Sequence, residues 1–299
     1  MEYLSLPSYA KINLGLLLLR KREDGYHDLA TVYQQIDLYD EMMFQKTPSS
    51  IRITSTDTTI PLDETNLVHR AFRLFQERFH LRGGIKIHIR KTIPVGGGLG
   101  GGSSNAATAL VAVNRLWMKK RSLAELGEMA AEIGSDVPFF LHGGTALGQG
   151  RGEILRPLQW STDWWIVLVY PGIQISTSWA YGQVKITLTK EEKFTKFRTI
   201  FEQFSPHTLK ENLTNDLEGV VLQRHPILRD LKEQMYKRDA FYASVSGSGS
   251  SVYGLFSHRE QAEATRTFFS KQQRMKTFLC RPILSPSLEI VEESSRIRK

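Results

Sequence analysis

One cysteine, Cys280, stands among 299 residues, so no intrachain disulfide can form. That usage fits a reducing compartment, and Cys280 reads as a small buried hydrophobe. Long apolar runs are missing too. "LGLLLL" at 14–19 falls far short of the roughly 20 residues that span a bilayer. The opening "MEYLSLPSYAK" lacks the basic-then-apolar layout of a signal peptide. A cytoplasmic protein with no membrane association is therefore expected. Internal repeats and low-complexity tracts are absent, which removes solenoid and linker classes. What remains is ordinary globular composition, 41% apolar and 23% charged, in a chain long enough for one or two domains. A net charge of +8 admits nucleic acid or an anionic small substrate. The basic residues are scattered, with small clusters only at 20–22, 119–121 and 296–299, so no nucleic-acid partner is expected.

The pattern divides the chain near 155–163, giving expected domains over 1–160 and 161–299. In "YAKINLGLLLL", Ile12, Leu14, Leu16 and Leu18 alternate with Lys11, Asn13 and Gly15, which predicts a half-buried strand. A turn follows at Asp24-Gly25, then strands in "TVYQQIDLYD" and "IRITST". "NLVHRAFRLFQERFHL" is an amphipathic helix, and "GIKIHIRK" alternates with Ile85, Ile87 and Ile89 facing inward. Ser122 and Glu125 form a capping box opening a helix lined by Leu123, Leu126, Met129 and Ile133 and ended by Gly134. The second half begins at the apolar "WWIVLVY". The stretch 186–216 carries no clear signal. Helical signals follow at "DLEGVVLQRHPILRDLKEQMY", then strand, turn, strand, helix, strand. The order β-α-β-β-α-β is the split βαβ, ferredoxin-like pattern. Both halves read as α+β.

Glycine is concentrated in "IPVGGGLGGGSSNAAT", residues 93–108, where six glycines between Gly96 and Gly102 are interrupted only by Leu99. Ordering such a run costs conformational entropy. No lysine follows to make it a P-loop. Gly96, Gly98 and Gly101 meet G-x-G-x-x-G formally, but the preceding strand alternates instead of running continuously apolar. No H-R-D or D-F-G set is present, which excludes a protein kinase. The remaining physics is that of free backbone N–H groups at the positive end of a helix dipole, a site that accepts phosphate.

Phosphoryl transfer also needs a positive charge at the transferring group and a carboxylate at the acceptor. Lys11 and Asp136 could supply these, although alone Lys11 reads as a solvated strand lysine and Asp136, in "GSDVPFF", as a helix N-cap. "SGSGSSVYGLF" at 246–256 reads equally as a hairpin turn or as a second backbone approach to ligand.

These segments resemble the galactokinase, homoserine kinase, mevalonate kinase and phosphomevalonate kinase superfamily. "PVGGGLGGGSSNAA" is similar to its ATP-phosphate loop and "SGSGSSVYGLF" to its C-terminal glycine motif. "AKINLGLLLLRKREDGYHDL", with "NLVHRA", "GSDVPFF" and the Asn-Asp pair at 215–216, is similar to the branch acting on a cytidine-diphosphate-linked methylerythritol. The resemblance implies a ribosomal-S5-like N-terminal domain, a ferredoxin-like C-terminal domain and ATP as co-substrate. It implies Asp136 as general base, with Lys11 orienting it and offsetting developing charge. The ATP loop maps to Pro94, Val95, Gly96, Gly97, Gly98, Leu99, Gly100, Gly101, Gly102, Ser103 and Ser104. Tyr26 and His27 map to the cytidine pocket, with Tyr181 as a second aromatic wall, Thr177 as a further contact, and Asn13 on the substrate. A tyrosine face can stack on a base and an imidazole can bond its edge. Magnesium is expected with ATP, with Ser104 or another loop hydroxyl as candidate ligand. No obligate protein partner is implied.

Overall fold

The computed structural model describes residues 3–160, 163–186 and 206–284, with Glu192, Thr195 and Phe197 between the last two segments. The rest of 187–205, about half of the 186–216 stretch, and the basic cluster at 296–299 lie outside the described residues.

The chain opens with two long antiparallel strands, β1 (Tyr3–Lys21) and β2 (His27–Thr47). Their turn closes through the Arg22 N–H donating to the Tyr26 carbonyl at 2.8 Å, with Gly25 left-handed at φ +84°. On its other edge β2 pairs with two partners in succession. Thr31–Gln34 meet β5 (Thr145–Gln149), and Glu41–Thr47 meet β4 (Gly84–Arg90). With β3 (Ile51–Ser55) and β6 (Ile154–Pro157) this completes a six-stranded sheet. Helices α1 (Leu67–Arg78), α2 (Gly101–Leu116), α3 (Leu123–Ile133) and α4 (Val137–His142) pack on it. Phe72 and Phe75 bury against Ile85, Ile87 and Ile89, as the two periodicities predict. The Ser122–Glu125 capping box is formed in full.

The second sheet has the order β10–β7–β9–β8, antiparallel throughout: β7 (Trp165–Tyr170), β8 (Tyr242–Val245), β9 (Val252–Phe256) and β10 (Lys276–Cys280). Helices α5 (Thr177–Gln183), α6 (Pro206–Asn212), α7 (Glu218–Arg224) and α8 (Pro226–Tyr236) lie between β7 and β8, and α9 (Arg259–Ser270) between β9 and β10. This is the ferredoxin-like β-α-β-β-α-β arrangement. The helical signals over 216–236 resolve into two helices. Pro226 has no N–H to continue α7 and sits where α8 begins. β5 and β6 were not legible, being short strands joined by a glycine-rich turn at 150–152.

The contact between the two sheets explains why "WIVLVY" is apolar at every position. Val167 and Val169 face the second half's helices, while Ile166 and Leu168 pack with Ala10, Ile12 and Leu14 of β1. β1 is therefore buried on both faces, and the expectation of a half-buried strand is corrected. An irregularity between Asn13 and Gly15 changes its phase. Before it Ala10, Ile12 and Leu14 face the second sheet; after it Leu17 and Leu19 do. Cys280 is buried, and burial pushes its thiol well above the usual range. Among the described residues no helix is long and apolar enough to cross a membrane.

Candidate active site

The glycine run folds with alternating handedness. Gly96, Gly98 and Gly100 are left-handed, at φ +70°, +76° and +68°. Leu99 falls between them and drives its side chain into the core beside Ile12 and Ile93, so a leucine interrupts the run without strain. Much of the glycine requirement comes from protein, not ligand. A Cβ on Gly98 would stand 2.1 Å from the Ser246 carbonyl oxygen, and one on Gly97 2.8 Å from Ser251 Oγ. The 246–251 segment is thus both the β8–β9 turn and the partner of the first loop. The Ser251 N–H donates to the Gly97 carbonyl at 3.1 Å, and Ser246 Oγ to the Gly98 carbonyl at 2.9 Å. Gly102 differs: the nearest protein atom to its Cβ would be Leu67 Cδ1, 3.9 Å away. It lies in the first turn of α2 and borders a cavity, and no side chain caps that helix. The first-turn amides are therefore available to an anion.

The cavity measures about 1060 Å³. Single small-molecule sites run to about 1,000 Å³, so it has room for more than one ligand. Of the predicted site residues, all but Ser104 line it. Ser104 is turned inward, accepting a 2.8 Å hydrogen bond from Ser8, so Ser103 presents the loop hydroxyl instead. Helix periodicity causes this, because residue 104 lies on the core side of α2.

At the centre, β1 carries Lys11 and Asn13 on the face opposite Ile12. The Lys11 backbone N–H donates to the Leu99 carbonyl at 3.0 Å, fixing the strand to the loop. Lys11 is 4% exposed, not solvated. Its Nζ donates to Asn13 Oδ1 at 2.6 Å and lies 3.4 Å from Asp136 Oδ2. Asn13 in turn donates to Thr31 Oγ1 at 2.8 Å. Asp136 occupies the position before α4 but makes no side-chain cap bond, and its carboxylate lines the cavity instead. Tyr33 of β2, which the sequence reading missed, donates to Asp136 Oδ1 at 2.9 Å. Burial and then the Asp136 charge push the Tyr33 phenol well above its usual range, keeping it protonated.

Beneath the loop, Lys91 forms a buried ion pair with Asp40, which also accepts the Thr92 and Ile93 amides and Asn105 Nδ2. Away from the loop, His27 and Tyr181 meet at a tilt of 48° with centroids 5.5 Å apart, and Tyr26, 55% exposed, has the Arg151 guanidinium over its ring at 5.2 Å. Burial, then the Lys21 charge, lowers the His27 pKa. Thr177 Oγ1 hydrogen-bonds Ser248 Oγ at 3.1 Å, tying α5 to the second glycine loop. Arg151, between Gly150 and Gly152, was also missed. Its signal was a cation isolated in a glycine turn.

Residues 66–144 match the GHMP kinases N terminal domain, and 199–274 the GHMP kinases C terminal domain. A 4-diphosphocytidyl-2-C-methyl-D-erythritol kinase of Alkaliphilus oremlandii (strain OhILAs) is 39% identical over 92% of this chain and 96% of its own length. The chain belongs to the 4-diphosphocytidyl-2-C-methyl-D-erythritol kinase family. Another member, from Prosthecochloris aestuarii (strain DSM 271 / SK 413), is likewise 39% identical, over 92% of this chain and 97% of its own length. A crystal structure of a 4-(cytidine 5'-diphospho)-2C-methyl-D-erythritol kinase superposes with a TM-score of 0.76 at 31% identity, covering 92% of this chain and 98% of that one. Homoserine kinase from Cytophaga hutchinsonii ATCC 33406 reaches a TM-score of 0.78 at 18% identity, over 96% and 97% of the two chains, which shows the shared fold alone. As in the family, this is an ATP-dependent small-molecule kinase.

Proposed function

We propose that the chain transfers the γ-phosphoryl group of ATP to the tertiary 2-hydroxyl of 4-diphosphocytidyl-2-C-methyl-D-erythritol, yielding the 2-phosphate and ADP. The observation that carries this reading is the Lys11–Asp136 pair, 3.4 Å apart, in one cavity between a glycine-lined helix N-terminus and an aromatic pocket. ATP phosphates lie on the 96–103 backbone, where the helix dipole and uncapped amides favour negative charge. The acceptor hydroxyl sits at Asp136. Its proton passes to the Asp136 carboxylate while its oxygen forms the bond to the γ-phosphorus and the bond to the ADP oxygen breaks. Lys11, held by Asn13, keeps the carboxylate in place and offsets the charge that builds on the transferring group. Tyr26, His27 and Tyr181 hold the cytosine, with the imidazole neutral near pH 7 and able both to donate and to accept. Thr177 lies beside them on the substrate side.

Among the described residues no group of three acidic, histidine or cysteine side chains could hold a metal. A magnesium ion would arrive with the nucleotide, and the Ser103 hydroxyl, which lines the cavity at the loop, would be the protein's contribution to it. Such an ion would neutralise phosphate charge and supply Lewis acidity. The reading also places the protein in the cytoplasm.

A coupled ADP-release assay tests the proposal, with the cytidyl substrate, mevalonate and homoserine run in parallel. Turnover confined to the cytidyl substrate is expected. Faster turnover of either of the others would move the chain to a sister activity.

A further inference from the structure

We infer that Tyr33 is a positioning residue for phosphoryl transfer, acting through Asp136 and resting on the general-base reading above. Its hydroxyl donates to Asp136 Oδ1 at 2.9 Å while Lys11 Nζ lies on the other carboxylate oxygen at 3.4 Å. A carboxylate gripped on one side only can rotate about its Cβ–Cγ bond. Gripped by a phenol on one oxygen and an ammonium on the other, it cannot rotate without losing both. Asp136 especially needs such a grip, because its side chain makes no bond to the α4 amides.

The surroundings of Tyr33 are built to hold the ring. It is 2% exposed and packs on Phe139 of α4 at a centroid distance of 4.8 Å. Lys11 Nζ stands 5.4 Å from its centroid, so both grips on Asp136 also touch each other. Two glycines clear its path. A Cβ on Gly148 would lie 2.5 Å from Tyr33 Cε2, and one on Gly152 2.3 Å from the hydroxyl oxygen. Neither glycine belongs to the phosphate loop; Gly152 also carries a left-handed φ of +115°, and a Cβ on Gly148 would further meet the Gly152 carbonyl oxygen at 3.0 Å. Gly148 and Gly152 together leave the space in which this tyrosine reaches the carboxylate. With its phenol held protonated, Tyr33 acts as a donor and takes no proton from substrate.

The test is a kinetic double-mutant cycle on the full-length enzyme, comparing wild type, Tyr33→Phe, Asp136→Asn and the double variant. Tyr33→Phe removes one oxygen and keeps the ring. A hydrogen bond to a charged group predicts about a tenfold loss of kcat, with the KM values for ATP and the cytidyl substrate within about twofold of wild type. In the Asp136→Asn background the same change has no carboxylate to act on, so kcat falls less than twofold further. Equal losses in both backgrounds, or no loss in the first, overturn the inference. Asp136→Asn at wild-type rate overturns the general-base reading itself, a separately readable failure. Gly148→Ala serves as a second probe that keeps the phenol and displaces its ring. It should lower kcat at least tenfold, and unchanged kcat would also count against the inference.

Discussion

Gly98→Ala tests whether the glycine loop is a freestanding phosphate cradle or half of a two-loop structure. The left-handed φ of +76° costs an L-residue about 1–2 kcal/mol. The new methyl would also stand 2.1 Å from the Ser246 carbonyl oxygen and 2.9 Å from that of Gly249, and neither backbone atom can swing aside as a side-chain tip would. Relief requires the loops to part. That breaks the Ser246–Gly98 and Ser251–Gly97 hydrogen bonds, each worth about 1 kcal/mol net. The total is about 3–4 kcal/mol. Paid in the folded state, it lowers Tm by several degrees. Where the loop shifts instead, it misplaces the phosphate amides, and kcat/KM for ATP falls about 10²–10³-fold. Differential scanning fluorimetry and initial rates read the two outcomes together. Gly127→Ala is the control, since its Cβ meets nothing within 4 Å and it lies inside α3, where alanine gains about 0.5–1 kcal/mol. Wild-type Tm and wild-type kcat/KM in Gly98→Ala would refute the loop-to-loop argument.

Lys11→Met removes the cation between Asn13 Oδ1 and Asp136 Oδ2, and kcat should drop about 10²–10³-fold. Steady-state rates at saturating ATP check this. Tyr26→Ala should raise KM for the cytidyl substrate and leave that for ATP nearly unchanged; an equal rise for both would place Tyr26 outside the base pocket. His142 is half-buried, and burial lowers its pKa below the unfolded value. Its contribution to stability is therefore full above the unfolded pKa of about 6.5 and is lost as pH falls through the lower folded value. Urea denaturation at pH 7.5 and 5.5 should show a smaller acid loss for His142→Gln than for wild type.

Local rules reached much of this molecule. Ile85, Ile87 and Ile89 alternate because one face of β4 meets helices, and the Ser122–Glu125 box needs no residue beyond its own turn. The glycine run, the absence of a following lysine and the lone carboxylate of "GSDVP" are likewise sequence properties. Which of Ser103 and Ser104 turns outward was not legible, because loop and helix meet at residue 101 and helical phase from there decides it. Tyr33 was invisible because nothing in "TVYQQ" tells a core tyrosine from one whose hydroxyl ends on a carboxylate 103 residues later.

The sequence by itself determined that a helix would begin in bare backbone, that Lys11 and Asn13 would share a strand face, and that the second half would alternate strands and helices in the split βαβ order. Those are consequences of glycine's missing Cβ and of periods of two and 3.6. Tertiary structure alone decided that β1 is buried on both faces and that the two glycine loops interlock. It also decided that Lys11 and Tyr33 reach opposite oxygens of Asp136. These depend on where strands far apart in sequence are packed, and in β1 on the irregularity between Asn13 and Gly15, which reverses side-chain phase beside the site.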